Sequence, residues 1–305
     1  MKMTISILLL LIASNDVFTE ELGGQYLFDN VSYQESAGWK ANTAPDARFI
    51  YGEDSAQQFA DLRIPSTKAP PGGYPVIVFI HGGAWRSEWS KNYTEAFVEA
   101  LAAEGFATWD LEFRRIGHRG GGYPGTFEDI ADGADHLKSI AKSYILNLDK
   151  VIVVGHSSGG HLALWLAGRS QLPESSALYR VEPIDLRGAV SIAGVNDLEL
   201  SYTLGNRTDV LTLINVDSLE SGAPRFEETN PARLLPLGVP QTTMIGDNDS
   251  QWRLEMTERY TEQSLEAGDN SKVLIVPEAN HMDVVDARSG FAEAVGNEAR
   301  EFLKR

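Results

Sequence analysis

The order of apolar runs and glycine-marked turns predicts an α/β fold, with a mostly parallel central sheet covered by helices on both faces. Three observations carry this expectation. Short β-branched runs alternate with helical periodicities along the chain, as in repeated strand–helix units. The strongest runs, Tyr74–Ile80 and Val151–Val154, are apolar at every residue, which suits strands buried on both faces. Val151–Val154 then leads through Gly155-His156-Ser157-Ser158-Gly159 into a helical stretch, Gly160–Ala167, closed by Gly168.

The elements follow in order. The chain has 305 residues, 43% of them hydrophobic, which suits one large domain with a well-buried core. Met1–Ser14 carries Lys2 and then the apolar run Ile5–Ala13, a pattern expected of a secretory leader and too short for a spanning helix. Residues 15–45 are expected to form an arm on the body, docked by Tyr26, Phe28, Tyr33 and Trp39, with the main domain at 46–305. Arg48–Tyr51 and Phe59–Ile64 suit an early pair of strands, and the proline-containing Lys68–Gly73 a connector before the strand Tyr74–Ile80. A helix is expected over Asn92–Glu104 with Gly105 as its stop, then a strand over Phe106–Leu111. The glycine-rich loop Glu112–Pro124 holds Arg114 and Arg115, which either bind a substrate carboxylate or pair with acidic neighbours; His118 suits the surface. Helical spacing runs from Thr126, the expected N-cap, to Ser143, with His136 on the solvent side or in packing.

After the central helix a strand is expected over Leu186–Ala193. Residues 194–231 break the rhythm; they are polar and offer only short helical pieces such as Asp217–Glu220. Strand Gln241–Ile245, helix Gln251–Ala267 before Gly268, strand Lys272–Val276 and a helix marked by Phe291, Val295, Ala299 and Phe302 complete the chain.

Composition narrows the chemistry. With 26 basic and 43 acidic residues the net charge is −17, which disfavours nucleic acid and anionic membranes as partners. The chain has no cysteine, so disulfides, thiolate metal sites and a cysteine nucleophile are excluded. No H-E-x-x-H or comparable ligand spacing occurs, and neither cofactor nor metal is expected.

The motifs point to nucleophilic catalysis. A strand, a tight glycine-flanked turn and a helix are the setting in which Gly155-x-Ser157-x-Gly159 lifts a serine hydroxyl out of the sheet edge. The strand Tyr74–Ile80 runs straight into His81-Gly82-Gly83-Ala84-Trp85, where successive glycines leave backbone N–H groups open to an oxyanion. The expected donors are Gly82, Gly83 and Ser158, the residue after the nucleophile. Serine needs a base, and histidine titrates in the right range. His81 and His156 belong to the motif turns, and His161 lies too close in sequence to reach back. His281 follows the last core strand in a loop that can swing over Ser157. Asp247 and Asp249 both follow the preceding strand as candidates for the acid, giving the order Ser, Asp, His. Asp283 and Asp286 suit helix-start positions.

From about Tyr74 onward these motifs resemble the α/β-hydrolase superfamily. The pair His81-Gly82-Gly83-x-Trp85 and Gly155-His156-Ser157-Ser158-Gly159-Gly160-His161 is similar to the branch of hormone-sensitive-lipase-like esterases, kynurenine formamidases and bifunctional feruloyl/acetyl-xylan esterases. The resemblance implies that 194–231 forms a small cap and that the acid is Asp249, three residues after Gly246, with Asp247 as fallback. It also implies a serine hydrolase working through Ser157, Asp249 and His281 on a small-molecule ester, without nucleic acid or stable membrane association. Lipase-type loops often read His-Gly-Gly-Gly; here the last place is Ala84, which leans toward the formamidase and feruloyl-esterase side. The leader favours a periplasmic or secreted esterase, with a cytoplasmic protein as the alternative. An arylformamidase is the alternative, and a non-catalytic binding protein on the same fold ranks third.

Overall fold

The computed structural model describes the backbone of residues 5–13 and 16–24, and backbone and side chains of residues 40–304. Tyr26, Phe28, Tyr33 and Trp39 lie outside the described residues. A ten-stranded sheet organises the chain. Its strands are β1 (Ile5–Ala13), β2 (Asp16–Gly24), β3 (Ala47–Ile50), β4 (Phe59–Arg63), β5 (Tyr74–Ile80), β6 (Ala107–Leu111), β7 (Leu146–His156), β8 (Ala189–Ile192), β9 (Gln241–Gly246) and β10 (Ser271–Val276), in the order 2-1-10-9-8-7-5-6-4-3. Strands β6, β5, β7, β8, β9 and β10 run parallel. β3 and β4 close one edge antiparallel, and β1 pairs antiparallel with β10 at the other. The apolar run expected as a leader thus forms the second strand from that edge, between β2 and β10.

Helices α1 (Glu95–Ala103), α2 (Gly125–Asp135), α3 (Leu137–Tyr144), α4 (Ser158–Gly168), α5 (Leu198–Gly205), α6 (Asp209–Ile214), α7 (Leu219–Thr229), α8 (Gln251–Glu266) and α9 (Phe291–Phe302) complete the domain. The pleat divides the core in two. Val76, Val78, Ile80, Val151 and Val153 face one apolar cluster with residues of α2, α3, α4 and α8. Ile77, Phe79, Ile152 and Val154 face the other, with residues of α1 and α9. Strand residues that alternate between two buried faces are apolar throughout, which is why the sequence reads as continuous runs.

Three stretches depart from the expectations. The long helix is broken at His136: the Trp109 indole donates to the Gly133 carbonyl at 2.8 Å, the group a continuous helix would offer to Leu137. His136 stacks on Trp109, with ring centroids 6.1 Å apart. Thr126 lies inside α2 and is not its cap; its hydroxyl accepts from Gly122 N–H and donates to the Arg114 carbonyl. Residues 194–231 hold three helices rather than fragments, and their polar residues are the ends. Asp197 caps α5, Ser218 and Ser221 form a capping box on α7, and Asn206 and Asn215 close α5 and α6 in left-handed conformation.

The parallel strands all end at one edge, where the functional loops gather. There the elbow has no room for side chains. A Cβ on Gly159 would lie 2.1 Å from the Ile80 carbonyl oxygen, whereas one on Gly268, at φ +97°, would meet nothing within 4 Å. Gly159→Ala is therefore expected to destabilise the fold by about 2 kcal/mol or more. Gly268→Ala should cost only the left-handed strain of about 1–2 kcal/mol. Urea unfolding of both variants measures the difference.

Candidate active site

Ser157 sits between β7 and α4 at φ 55° and ψ −121°, a strained conformation for a residue with a Cβ. Backbone bonds on both sides of the residue hold it there. Its N–H donates to the Ile192 carbonyl at 2.8 Å, and its carbonyl accepts from Gly160 at 2.9 Å and Val195 at 3.2 Å. A Cβ on Gly155 would approach the Gly159 carbonyl oxygen to 2.0 Å, so the turn closes only with glycine at both positions.

His281 and Asp249 reach the serine from the ends of β10 and β9. His281 Nε2 lies 3.0 Å from Ser157 Oγ, and its Nδ1 lies 2.7 Å from Asp249 Oδ2. The two supporting loops are packed together: a Cβ on Gly246 would meet the Ala279 carbonyl oxygen at 2.0 Å, and Asn248 N–H donates to that carbonyl at 3.0 Å. Asp247, the fallback acid, points elsewhere and accepts from Glu278 N–H at 2.6 Å. It shapes the histidine loop without touching the imidazole. Asp283 Oδ2 accepts from Asn280 N–H, and Asp286 pairs with Arg288.

The local charges favour an ionised acid beside a neutral histidine. Burial pushes the Asp249 carboxyl up, but the His281 hydrogen bond and charge, Arg253 and Ser250 N–H outweigh it and bring it down to about 2. His281 is held below its ordinary range, first by burial and then by the nearby Arg253 and Arg207 charges, against the pull of Asp249. Arg253 reaches Asp249 Oδ1 at 3.3 Å from one turn into α8.

The oxyanion loop follows β5. Gly83, Ala84 and Trp85 adopt φ of 110°, 56° and 55° in succession. This explains why glycine suits the place Ala84 occupies; a side chain there carries left-handed strain. Trp85 N–H, donating to Ser158 Oγ at 3.2 Å, joins the loop to the elbow. The N–H groups of Gly83 and Ser158 take no backbone partner among the described residues. Gly82 departs from the expectation of three donors. Its N–H is already bonded to the Tyr93 hydroxyl at 2.7 Å, so Gly82 braces the loop.

The remaining charged candidates are structural. The Arg114 guanidinium binds Asp129 through two hydrogen bonds of 2.9 and 2.7 Å, and Arg115 pairs with buried Glu112, which resolves the arginines in favour of pairing with acidic neighbours. His118 Nδ1 accepts from Arg115 N–H. His161 Nε2 donates to the Thr229 carbonyl at 2.9 Å, so its Nδ1 accepts from the Trp85 indole at 3.2 Å. That histidine ties α7 to the oxyanion loop, and burial lowers its pKa to about 4. Sequence reasoning missed Tyr93 and Arg253. Arg253 carried a signal in its i, i+4 spacing from Asp249; Tyr93 carried none. Among the described residues no group of three His, Asp or Glu side chains could hold a metal ion, and no helix is long and apolar enough to cross a membrane.

Comparison with known proteins follows the same lines. Esterase LipC of Mycobacterium tuberculosis (strain ATCC 25618 / H37Rv) is 27% identical over 259 residues, 80% of this chain and 61% of that protein. Kynurenine formamidase of Meyerozyma guilliermondii is 31% identical over 153 residues, 48% of this chain and 52% of that protein. The chain thus spans between half and two thirds of the length of these relatives. A solved truncated form of carbohydrate esterase from gut microbiota shares the fold at a TM-score of 0.73, with 18% identity over 87% of this chain and 99% of that one. The BD-FAE family model matches residues 60–251, from β4 through Ser157 and Asp249 to the first residue of α8. The chain has the α/β-hydrolase fold and belongs to the BD-FAE family.

Proposed function

We propose that the protein hydrolyses a small carboxylic ester through an acyl-enzyme on Ser157. The observation that carries the reading is the unbroken line from Asp249 Oδ2 through His281 to Ser157 Oγ, with contacts of 2.7 and 3.0 Å. In it His281 Nε2 takes the Ser157 proton as the hydroxyl attacks the carbonyl carbon. Asp249 keeps the other ring proton on Nδ1 and stabilises the imidazolium without taking that proton. The oxyanion forms within reach of the Gly83 and Ser158 N–H groups. His281 then protonates the leaving alcohol, and water enters by the same base to release the acid. Every step uses side chains and backbone of this chain, so the reading invokes no cofactor.

The likeness to kynurenine formamidase over 48% of the chain supports arylformamide hydrolysis as a second reading. Hydrolysis of a short aryl acetate and of N-formylkynurenine by the same preparation separates the two. The ester is expected to turn over faster, and a clear preference for the formamide would reverse the ranking. Ser157→Ala should lower kcat by about 10⁵-fold or more on either substrate, and equal slow rates in both proteins would leave a binding protein. Asp249→Asn should cost about 10⁴-fold. Asp247→Asn, whose amide oxygen still accepts from Glu278 N–H, should leave kcat within a few-fold of wild type.

The pH dependence has a definite sign. His281 must be neutral to act as base, and its pKa is lowered, so the acidic limb of kcat/KM should fall below the ordinary histidine range near ~6.5. Asp249, at about 2, stays ionised throughout that limb. Arg253→Gln removes a positive charge that disfavours the imidazolium and should move the limb to higher pH. A limb unmoved by the substitution would contradict the electrostatic account.

We further propose export, on the strength of Lys2 and the apolar run Ile5–Ala13. N-terminal sequencing of the exported protein is expected to show that the leader, Met1–Ser14, has been removed. An intact Met1 on intracellular protein would overturn export.

A further inference from the structure

We propose that Tyr93 is a positioning residue that links the oxyanion loop to the base loop by a one-way chain of hydrogen bonds through His156. The inference rests on the serine-hydrolase reading of Ser157, His281 and Asp249, and concerns a residue outside both sequence motifs.

Three contacts form the chain. Gly82 N–H donates to the Tyr93 hydroxyl at 2.7 Å, that hydroxyl lies 2.8 Å from His156 Nδ1, and His156 Nε2 lies 2.9 Å from the His281 carbonyl oxygen. Their directions follow from which atoms carry hydrogen. A carbonyl oxygen only accepts, so His156 Nε2 must carry a proton. The ring is fully buried, and burial with the neighbouring His281 holds it neutral. Its Nδ1 is then a lone pair, and Tyr93 must donate to it. The Tyr93 oxygen is left to accept, and the Gly82 N–H supplies that bond. Each group has one role, and reversing any one of them breaks a neighbour.

The chain joins the two moving parts of the proposed chemistry. At one end, the bond to Tyr93 fixes the peptide before Gly82, and so the orientation of the adjoining Gly83 N–H. Gly82 is already wedged: a Cβ there would lie 2.6 Å from the His156 carbonyl oxygen and 2.8 Å from Ser157 Cβ. At the other end, the bond from His156 fixes the main chain of His281, whose ring packs on His156 with centroids 4.9 Å apart. Tyr93 is held from outside by Trp89, edge-on at 5.8 Å, and sits in the single turn Lys91–Thr94. Removing its hydroxyl leaves Gly82 N–H and His156 Nδ1 unpaired together in a buried place, where a polar group without a partner is destabilised. Both loops are then free to relax, and the donor and the base lose alignment with the same carbonyl.

Tyr93→Phe keeps the ring and removes only the hydroxyl. Alongside wild type and Ser157→Ala, it is expected to lower kcat on a short aryl acetate about tenfold, equivalent to about 1.4 kcal/mol of barrier, with KM within about twofold. A second measurement needs no variant. Imidazole ¹⁵N spectra of the wild-type protein should show two histidines that stay neutral from pH 5 to 8 with the proton on Nε2, His161 and His156, the second assigned by its loss in His156→Gln. In Tyr93→Phe, if folded, the Nδ1 signal of that ring should move toward the value of an unbonded lone pair. If Ser157→Ala retains wild-type turnover, the hydrolase reading fails. If turnover depends on Ser157 but Tyr93→Phe keeps full kcat, the positioning role fails. A His156 that titrates in this range, or carries its proton on Nδ1, overturns the chain itself, even if Tyr93→Phe does not fold.

Discussion

The site depends on how closely two pieces of backbone approach one another. The turn from β7 to α4 lies so near the end of β5 that a Cβ on Gly159 would stand 2.1 Å from the Ile80 carbonyl oxygen and 2.5 Å from that of His81. This packing sets the first turn of α4 beside the oxyanion loop, so that the N–H of Ser158 and that of Gly83 belong to one region. It also forces Ser157 into positive φ, a cost of about 1–2 kcal/mol that the bonds to Ile192, Gly160 and Val195 offset. A looser turn would relieve the serine and pull the two N–H groups apart. Strain at one residue is thus the consequence of an arrangement that serves two.

Two groupings of histidine, carboxylate and arginine among the described residues show what geometry adds to composition. His81 faces Glu112 and Arg115, with its Nδ1 on the Gly82 carbonyl at 2.7 Å and Nε2 on the carboxylate and guanidinium. Both ring nitrogens are occupied by structure, the ring stacks on Phe113 at 4.6 Å, and the side chain is fully buried. His281 also has a carboxylate and an arginine nearby, but the arginine binds the far oxygen of Asp249 and leaves Nε2 to the serine. Its side chain is 20% exposed, enough for a substrate to meet it. One grouping braces the oxyanion loop; the other presents a lone pair to a hydroxyl.

The insertion between β8 and β9 is bound to the nucleophile helix by two indole and imidazole donors. Trp165 Nε1 reaches the Glu228 carbonyl at 2.9 Å and His161 Nε2 that of Thr229, also at 2.9 Å. These bonds satisfy carbonyls at the C-terminal end of α7 that the helix itself leaves unpaired. Val210, Leu213, Ile214 and Phe226 join the larger apolar cluster. The insertion is therefore part of the core, with its polar residues spent on helix ends.

The sequence by itself determined the parallel strands and the tight turn at Ser157, and it set aspartates and a histidine after the last two of those strands. Each of these rests on a local constraint: a strand buried on both faces needs apolar residues throughout, and a crossing this tight needs glycine at Gly155 and Gly159. Helix ends in the insertion were less legible, because Asp, Ser and Asn look alike in loops and in caps until the turns they close are known. The break at His136 was invisible, since it depends on an indole from a distant strand taking one carbonyl. The residues themselves left Asp249 and Asp247 open, the resemblance favoured Asp249, and the tertiary structure sets Asp249 beside His281, for two aspartates two residues apart leave the same strand and differ only in the direction of the turn. It also gave the Gly82 N–H a partner, the Tyr93 hydroxyl, which comes from eleven residues away and leaves no periodic or motif signal. Local sterics are written in the chain; the partner of a buried polar group is settled only when distant segments meet.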